Sequence, residues 1–151
     1  MPGLFDLDAD DPQLAADIRA AFAAGKHATM ATLRADGAPR ISGTEVEFEH
    51  GQVFIGSGND ARKSLDLQRD PRVAIHSPTR DPVSATEWAG EAKLNGVAVP
   101  VPVPEHYPPG AVRFRIDLTS AVHTGLSDET PPRLRIRLWR PGRAVETMLR
   151  A

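Results

Sequence analysis

The chain has 151 residues, no cysteine and a formal net charge of −2, so its length suits one domain with a single buried core. The absence of cysteine excludes a disulfide framework, a thiolate zinc site and a cysteine nucleophile, while the slightly acidic balance disfavours nucleic acid as a partner. Because no stretch approaches the ~20 apolar residues of a membrane helix and the N-terminus is acidic, we predict a cytoplasmic single-domain protein spanning residues 1–151, with no membrane partner.

Residues 1–25 are predicted to form a helical segment that precedes the strands. Asp11 offers a capping side chain, and Pro12 suits the first helical position. Apolar side chains then recur at every fourth position, at Leu14, Ile18 and Phe22. This period predicts one amphipathic helix that stops at Gly25.

Residues 26–151 are predicted to form the strands of a barrel, and the first part of this region contains four strands and one short helix. The strands are predicted over 27–33, through Ile41 to Phe48, over 52–56 and over 72–76. Turn-forming residues at 35–39 and 50–51 separate the first three strands. The apolar positions of the second strand change from odd to even numbers around Gly43, which predicts a β-bulge or a close backbone approach. The helix is predicted over 61–69.

The second half alternates between apolar and polar residues with period two, as half-buried strands do. Strands are predicted over 91–99, over 112–118 with a continuation after a corner over 121–124, over 133–138 and over 144–148. The prolines between residues 100 and 109 predict an extended surface segment, because proline cannot donate to a strand ladder. About eight strands favour a barrel, since closure removes exposed strand edges.

Three segments occur in the order and spacing of a known family: ATLRADGAPRIS at 31–42, VFIGS at 53–57 and RKSLDLQRDPRVAI at 62–75. Together they resemble the pyridoxamine 5'-phosphate oxidase-like family of FMN-binding split barrels, which includes deazaflavin-dependent actinobacterial relatives. The resemblance implies a mainly β, flavin-reductase-like split β-barrel with an N-terminal helix and a short helix after the third strand. It also implies a homodimer that holds FMN or, alternatively, the deazaflavin coenzyme F-420.

A phosphate site is predicted at the start of the short helix. Arg62 and Lys63 would lie in its first turn, where the helix dipole disfavours a cation by ~0.3 to 1 kcal/mol and where a bound anion would compensate. The resemblance implies that Arg62, Lys63 and Ser57 hold the cofactor phosphate. The alternative is a solvated helix face on which Asp60 or Asp66 forms a salt bridge, and Asp60 is also a candidate helix cap.

Two hydroxyl residues are predicted to contact the rest of the cofactor. Ser42 and Thr44 flank Gly43, where a missing side chain permits close approach. The resemblance places residues at these positions against the flavin ring or the ribityl chain. The alternative is that both are ordinary barrel hydroxyls beside a bulge.

Trp139 is the sixth candidate for cofactor binding. Strict alternation places it on the same face as Arg133, Arg135 and Arg137, opposite the apolar positions. The resemblance implies that it stacks on a flavin or on the partner protomer, and the alternative is packing against arginine stems.

The resemblance implies a flavin-dependent oxidoreductase acting on a small molecule, and the sequence assigns no catalytic residue. A non-enzymatic flavin-binding or haem-binding protein on the same barrel is the alternative, with His76 and His123 as weak candidates for a haem ligand. The five histidines show no spacing typical of metal ligands, so no metal is predicted.

Overall fold

The computed structural model describes residues 2–151 and contains nine strands and three helices. The helices are α1 Leu4–Asp10, α2 Pro12–Ala23 and α3 Arg62–Arg69. The strands are β1 Ala28–Leu33, β2 Pro39–Thr44, β3 Val46–Glu49, β4 Gln52–Gly58, β5 Arg72–His76, β6 Glu91–Val101, β7 Ala111–Leu126, β8 Leu134–Trp139 and β9 Glu146–Arg150. Among residues 2–151, no helix has the length and apolar composition needed to cross a membrane.

All nine strands form one antiparallel sheet in the order β2-β1-β5-β6-β7-β4-β3, with β8 paired to β7 and β9 to β8. β7 pairs with β6 along most of its length. Its other edge pairs with β4 over residues 111–116 and then with β8 over residues 121–126. Within the described residues, the terminal strands β2 and β3 form no ladder with each other. The sheet therefore remains open, which confirms the predicted mainly β split barrel.

The N-terminal segment contains two helices where the sequence predicted one. The predicted helix is α2, and Asp11 caps it by accepting a hydrogen bond from the Leu14 amide at 3.0 Å. α1 was missed because it is a single short stretch that begins after Gly3 and carries three aspartates. α2 packs on β6 and β7 and buries the residues predicted from the period of four. It ends at Ala23 rather than at Gly25.

The predicted polar face of β8 is covered at its C-terminal end, whereas Arg133, just before the strand, is exposed. Trp139 is 0% exposed, and its Nε1 donates a hydrogen bond to the Asp10 carboxylate at 2.9 Å. Arg137 is also buried and pairs with Asp17 on α2. The two N-terminal helices thus cover this end of β8 and supply acidic partners for Trp139 and Arg137.

Two strand boundaries also differ from the prediction. The chain breaks between β2 and β3 at Glu45, so the change of apolar phase separates two strands instead of marking a bulge at Gly43. β6 continues through Pro100, which is paired with Phe114 of β7. The proline is tolerated there because β5 pairs with β6 only as far as Val97, which leaves the other edge of β6 free.

A buried carboxylate fixes α3 against the sheet. Asp66 is 3% exposed and accepts hydrogen bonds from Thr32 on β1, at 2.7 Å, and from Arg40 on β2, also at 2.7 Å. Arg69 adds a third bond at 3.1 Å. Burial opposes ionisation, but these donors outweigh it and lower the pKa of Asp66 from 3.8 to about 2. α3 is thereby held against β1 and the start of β2.

Candidate functional site

A cleft of about 960 Å³ opens where β2 ends and α3 and β7 begin. The chain segments that form it come from five places along the sequence, so only the folded sheet brings them together. Its lining consists of His27, Gly43, Thr44, Glu45, Glu47, Gly56, Ser57, Gly58, Asn59, Asp60, Lys63, His106, Tyr107, Pro108, Pro109, Gly110 and Ala111. We refer to this set as the cleft.

Three of the six predicted site residues line the cleft. Thr44 is buried at the end of β2, Ser57 is half-buried near the end of β4, and Lys63 projects from the first turn of α3. They are brought together because β2 and β4 both end beside the start of the helix. A hydroxyl from each strand and one ammonium group thus share one cavity.

The other three predicted residues do not line it. Ser42 is half-buried on β2 opposite Met30 of β1, and Arg62 is exposed on α3. Trp139 lies in the core beneath the N-terminal helices. The side chain of Trp139 is occupied by packing and by its bond to Asp10, so we do not carry it into the proposed site.

Lys63 has no carboxylate partner among residues 2–151. Its Nζ donates to the Gly43 carbonyl oxygen at 2.7 Å, and burial lowers the pKa of its ammonium group. Of the two predicted salt-bridge partners, Asp66 is occupied by Arg40 and Arg69, and Asp60 forms no ion pair with Lys63. The cleft therefore contains a partly desolvated cation whose charge is not balanced by a direct ion pair.

The first turn of α3 has no side-chain cap. Its N-cap residue is Ala61, in extended backbone conformation, so the prediction of Asp60 as the cap is wrong. The first amide groups of a helix need an acceptor from outside the helix, and a helix start without a capping side chain can offer them to an anion. Ser64, in the same turn, has a buried hydroxyl with no partner within the described chain.

The sequence did not identify a second polar group at the cleft. The Tyr107 hydroxyl donates to Oε1 of Glu47. Arg113 donates from Nη2 to Glu47 at 3.0 Å and to Glu49 at 2.7 Å. These residues are about sixty positions apart in the chain, so no local pattern connects them. The only available signal was a single tyrosine in a proline-rich segment.

The two histidines considered as haem ligands lie outside the cleft. His123 is 5% exposed, with Nδ1 3.2 Å from Nη2 of Arg137, and burial together with that guanidinium lowers its pKa. Nδ1 of His76 lies 2.7 Å from the Ser77 carbonyl oxygen. The histidines that do line the cleft are His27 and His106.

No protein-family model and no curated protein matches the chain. Among solved structures, a pyridoxamine 5'-phosphate oxidase-related, FMN-binding protein from Nostoc punctiforme gives a TM-score of 0.62 at 10% identity, covering 93% of this chain and 96% of that one. An F420 reductase gives 0.54 at 16% identity, covering 69% and 94%. A heme-binding protein from Mycobacterium smegmatis gives 0.54 at 14% identity, covering 90% and 57%. At these identities the likeness establishes the fold.

Proposed function

We propose, from the split-barrel fold that this chain shares with pyridoxamine 5'-phosphate oxidase-like proteins, that it binds a phosphate-bearing flavin-type cofactor in the cleft. FMN is the first candidate, and the deazaflavin coenzyme F-420 is the alternative. The observation that carries the proposal is Lys63, a cleft-lining cation with one carbonyl acceptor and no ion pair within the described residues. A bound phosphate would supply the missing negative charge.

The donor set at this end of the cleft fits a phosphate. The Lys63 ammonium group is a charged donor, the first turn of α3 carries no side-chain cap, and the Ser57 hydroxyl stands between two glycines. Arg62 is the first residue of this turn, and its exposed side chain would contribute by reorienting toward the cleft. The cleft volume of about 960 Å³ lies within the range typical of cofactor sites.

We further propose that the protein is an oxidoreductase acting on a small molecule. A bound flavin supplies the redox chemistry at its ring, and the protein supplies binding and orientation. Lys63 and Ser57 would hold the phosphate, while the hydroxyl group of Thr44, which lines the cleft at the end of β2, would donate to or accept from the remainder of the cofactor. Glu47 lies at the cleft wall, where its carboxylate accepts hydrogen bonds from Tyr107 and Arg113.

Titration with FMN and riboflavin tests the phosphate site, because riboflavin lacks only the phosphate. A charge-assisted hydrogen bond contributes roughly 1.5 to 3 kcal/mol, so we expect FMN to bind at least about tenfold more tightly than riboflavin. The deazaflavin coenzyme, titrated in parallel, decides between the two cofactors. Equal affinity for FMN and riboflavin would contradict the assignment.

A non-enzymatic haem-binding protein is the second candidate. It is favoured by the fold shared with a heme-binding protein and by His27 and His106, which line the cleft and are exposed. Either imidazole could ligate iron. The visible spectrum of the purified protein separates the candidates, since haem and flavin absorb at different wavelengths.

We also propose a homodimer. The face of the sheet opposite the core carries a row of apolar side chains from Ile41 through Ala31 to Ala74, which are partners across β2, β1 and β5. Ile41 is 76% exposed, and the neighbouring row includes the exposed Val97. An apolar sheet face of this kind suits a second copy of the same face in a two-fold arrangement.

Replacing Ile41 with glutamate is expected to convert the dimer into a monomer, because each dimer would bury two unpaired carboxylates. Val83 is equally exposed, at 76%, but lies in the loop before β6. The Val83→Glu variant is therefore the matched control, and it should remain dimeric. Sedimentation velocity at micromolar concentration measures both, and an unchanged sedimentation coefficient for Ile41→Glu would exclude this interface.

A further inference from the structure

One wall of the cleft is a loop whose backbone forms few hydrogen bonds to the rest of the protein. Residues 102–110, here called the cleft loop, connect β6 to β7, and four of the nine are prolines without an amide donor. Their backbone makes few bonds outside local turns, the clearest being from the Asn59 amide to the Gly110 carbonyl oxygen at 2.9 Å. Five consecutive residues of the loop, 106–110, line the cleft. The position of this wall therefore depends on side chains.

Tyr107 provides the side-chain anchor. Its hydroxyl donates to Oε1 of Glu47 on β3, and Oε2 of the same carboxylate accepts from Arg113 at 3.0 Å. Arg113 is 8% exposed and lies 3.8 Å from the centroid of the Phe54 ring. Both oxygens of Glu47 are thus held, one by the loop and one by a guanidinium fixed in the sheet.

The tyrosine ring also needs a gap in the neighbouring strand. A Cβ atom added to Gly56 would lie 2.6 Å from Cε2 of Tyr107, which is closer than van der Waals contact allows. The ring therefore packs directly on bare backbone of β4. Gly56 is followed by Ser57, the proposed phosphate donor. The contact between Tyr107 and Gly56 therefore sets the distance between the cleft loop and Ser57.

We propose that Tyr107 is a cofactor-positioning residue that, with Glu47 as its acceptor, holds the cleft loop against Gly56 and so sets the width of the cleft. The identity of the ligand rests on the proposed function. The positioning role applies to the body of the cofactor, whereas Lys63 acts on its phosphate. Loss of the Tyr107 role should therefore weaken the binding of FMN and riboflavin alike, whereas loss of the Lys63 role should weaken the binding of FMN alone.

The anchor can be tested without any ligand, because Tyr107 is the only tyrosine in the chain. Burial, the Glu47 hydrogen bond and the Glu47 charge raise its pKa to about 12, while Arg113 opposes them. Alkaline titration followed by tyrosinate absorbance reports this pKa directly. In the Glu47→Gln variant it should fall below the wild-type value, because the charge of Glu47 is removed while burial of the ring remains. Glu105→Gln removes an exposed carboxylate from the same loop and should leave the titration unchanged.

The positioning role predicts a parallel loss for two flavins. Tyr107→Phe retains the ring and removes the hydroxyl, so FMN and riboflavin should both bind about tenfold more weakly, the effect of roughly one hydrogen bond. The ratio of the two affinities should stay at the wild-type value. Lys63→Gln should instead weaken FMN alone. Gly56→Ala, which displaces the ring, should reproduce the Tyr107→Phe pattern.

Wild-type affinity of Tyr107→Phe for both flavins, or a wild-type tyrosine titration in Glu47→Gln, would overturn the positioning role. Equal binding of FMN and riboflavin by the wild type would overturn the phosphate site. It would not affect the test of Tyr107, because the affinity of each variant for one flavin is compared with the wild-type affinity for the same flavin. Thermal unfolding of the free variants shows that any loss of binding occurs in folded protein.

Discussion

Replacing Lys63 with glutamate is expected to abolish retention of FMN while the free protein stays folded. Removing a charge-assisted donor to the phosphate reduces affinity by about tenfold to a hundredfold, and the new carboxylate adds repulsion. Glu45, Glu47 and Asp60 already line the cleft, so a further negative charge finds little compensation. The combined loss should exceed two orders of magnitude, roughly 3 kcal/mol or more.

The stability of the free protein should respond much less to the same change. Lys63 loses one hydrogen bond to the Gly43 carbonyl oxygen, about 0.5 to 1.5 kcal/mol, but an acidic side chain in the first turn of a helix is favoured by the dipole. We therefore expect a net change below about 1 kcal/mol. FMN titration and thermal unfolding without ligand measure the two effects separately.

Two control variants show whether the loss of FMN affinity depends on the charge and the position of Lys63. Lys63→Gln removes the charge and retains a polar side chain that is one atom shorter, so it should show an intermediate loss of FMN affinity. Arg62→Glu makes the same charge reversal at the next position, where the side chain is exposed and outside the cleft lining, so a smaller loss is expected. Unaltered FMN affinity in Lys63→Glu would remove this residue from the site, whereas a large loss of unfolding temperature would show a structural role.

The Asp66→Asn variant is expected to lower the free energy of unfolding by about 2 to 3 kcal/mol. Removing one partner of a buried ion pair leaves the other charge uncompensated, which costs roughly 3 to 5 kcal/mol at a fully buried site. Arg40 and Arg69 keep partial access to water, so the expected cost is below that range. Urea unfolding at neutral pH measures it.

The same carboxylate should give the protein a defined sensitivity to acid. The pKa of Asp66 is about 2 in the folded state and about 3.9 in an unfolded chain, so the unfolded state binds the proton first as pH falls. Its contribution to stability is complete above about pH 5 and is lost progressively as pH drops to about 1. The gap between wild type and Asp66→Asn should therefore shrink over that interval.

Asp70 is the control for this experiment. Its pKa is also lowered to about 2, by hydrogen bonds from Arg72, but the pair is local and on the surface. Asp70→Asn should have a much smaller effect on unfolding than Asp66→Asn, because solvent screens exposed pairs. Equal destabilisation by the two substitutions would show that burial of Asp66 is not the cause.

The elements that sequence reasoning located well are those with a strong local period. The repeat of Leu14, Ile18 and Phe22 located α2, and alternation along 112–118 located the first half of β7. The short helix was located almost to its ends, because Asp70 and Pro71 stop it. The position of Lys63 in the first turn of that helix was predicted for the same reason.

The features that were missed depend on contacts between distant segments. Whether the arginine face of β8 is open depends on helices more than 110 residues earlier in the chain, as the Trp139 bond to Asp10 shows. The pairing of Tyr107 with Glu47 depends on where the cleft loop crosses β3. Alternation indicates which residues share a face, but it does not indicate what covers that face.

β7 contains one extra residue at which the alternation of buried and exposed side chains changes from even-numbered to odd-numbered positions. Its inward positions are Phe114, Ile116 and Leu118 in the first half and Ala121 and His123 in the second. Thr119 is the extra residue at which the pairing with β6 shifts. Inserting or deleting one residue here would move the side chains of one half of the strand to the opposite face of the sheet. The buried apolar residues would then face solvent either in the half near the cleft or in the half covered by the N-terminal helices. Relatives of this chain should therefore vary in length in their loops and keep the residue count of this strand.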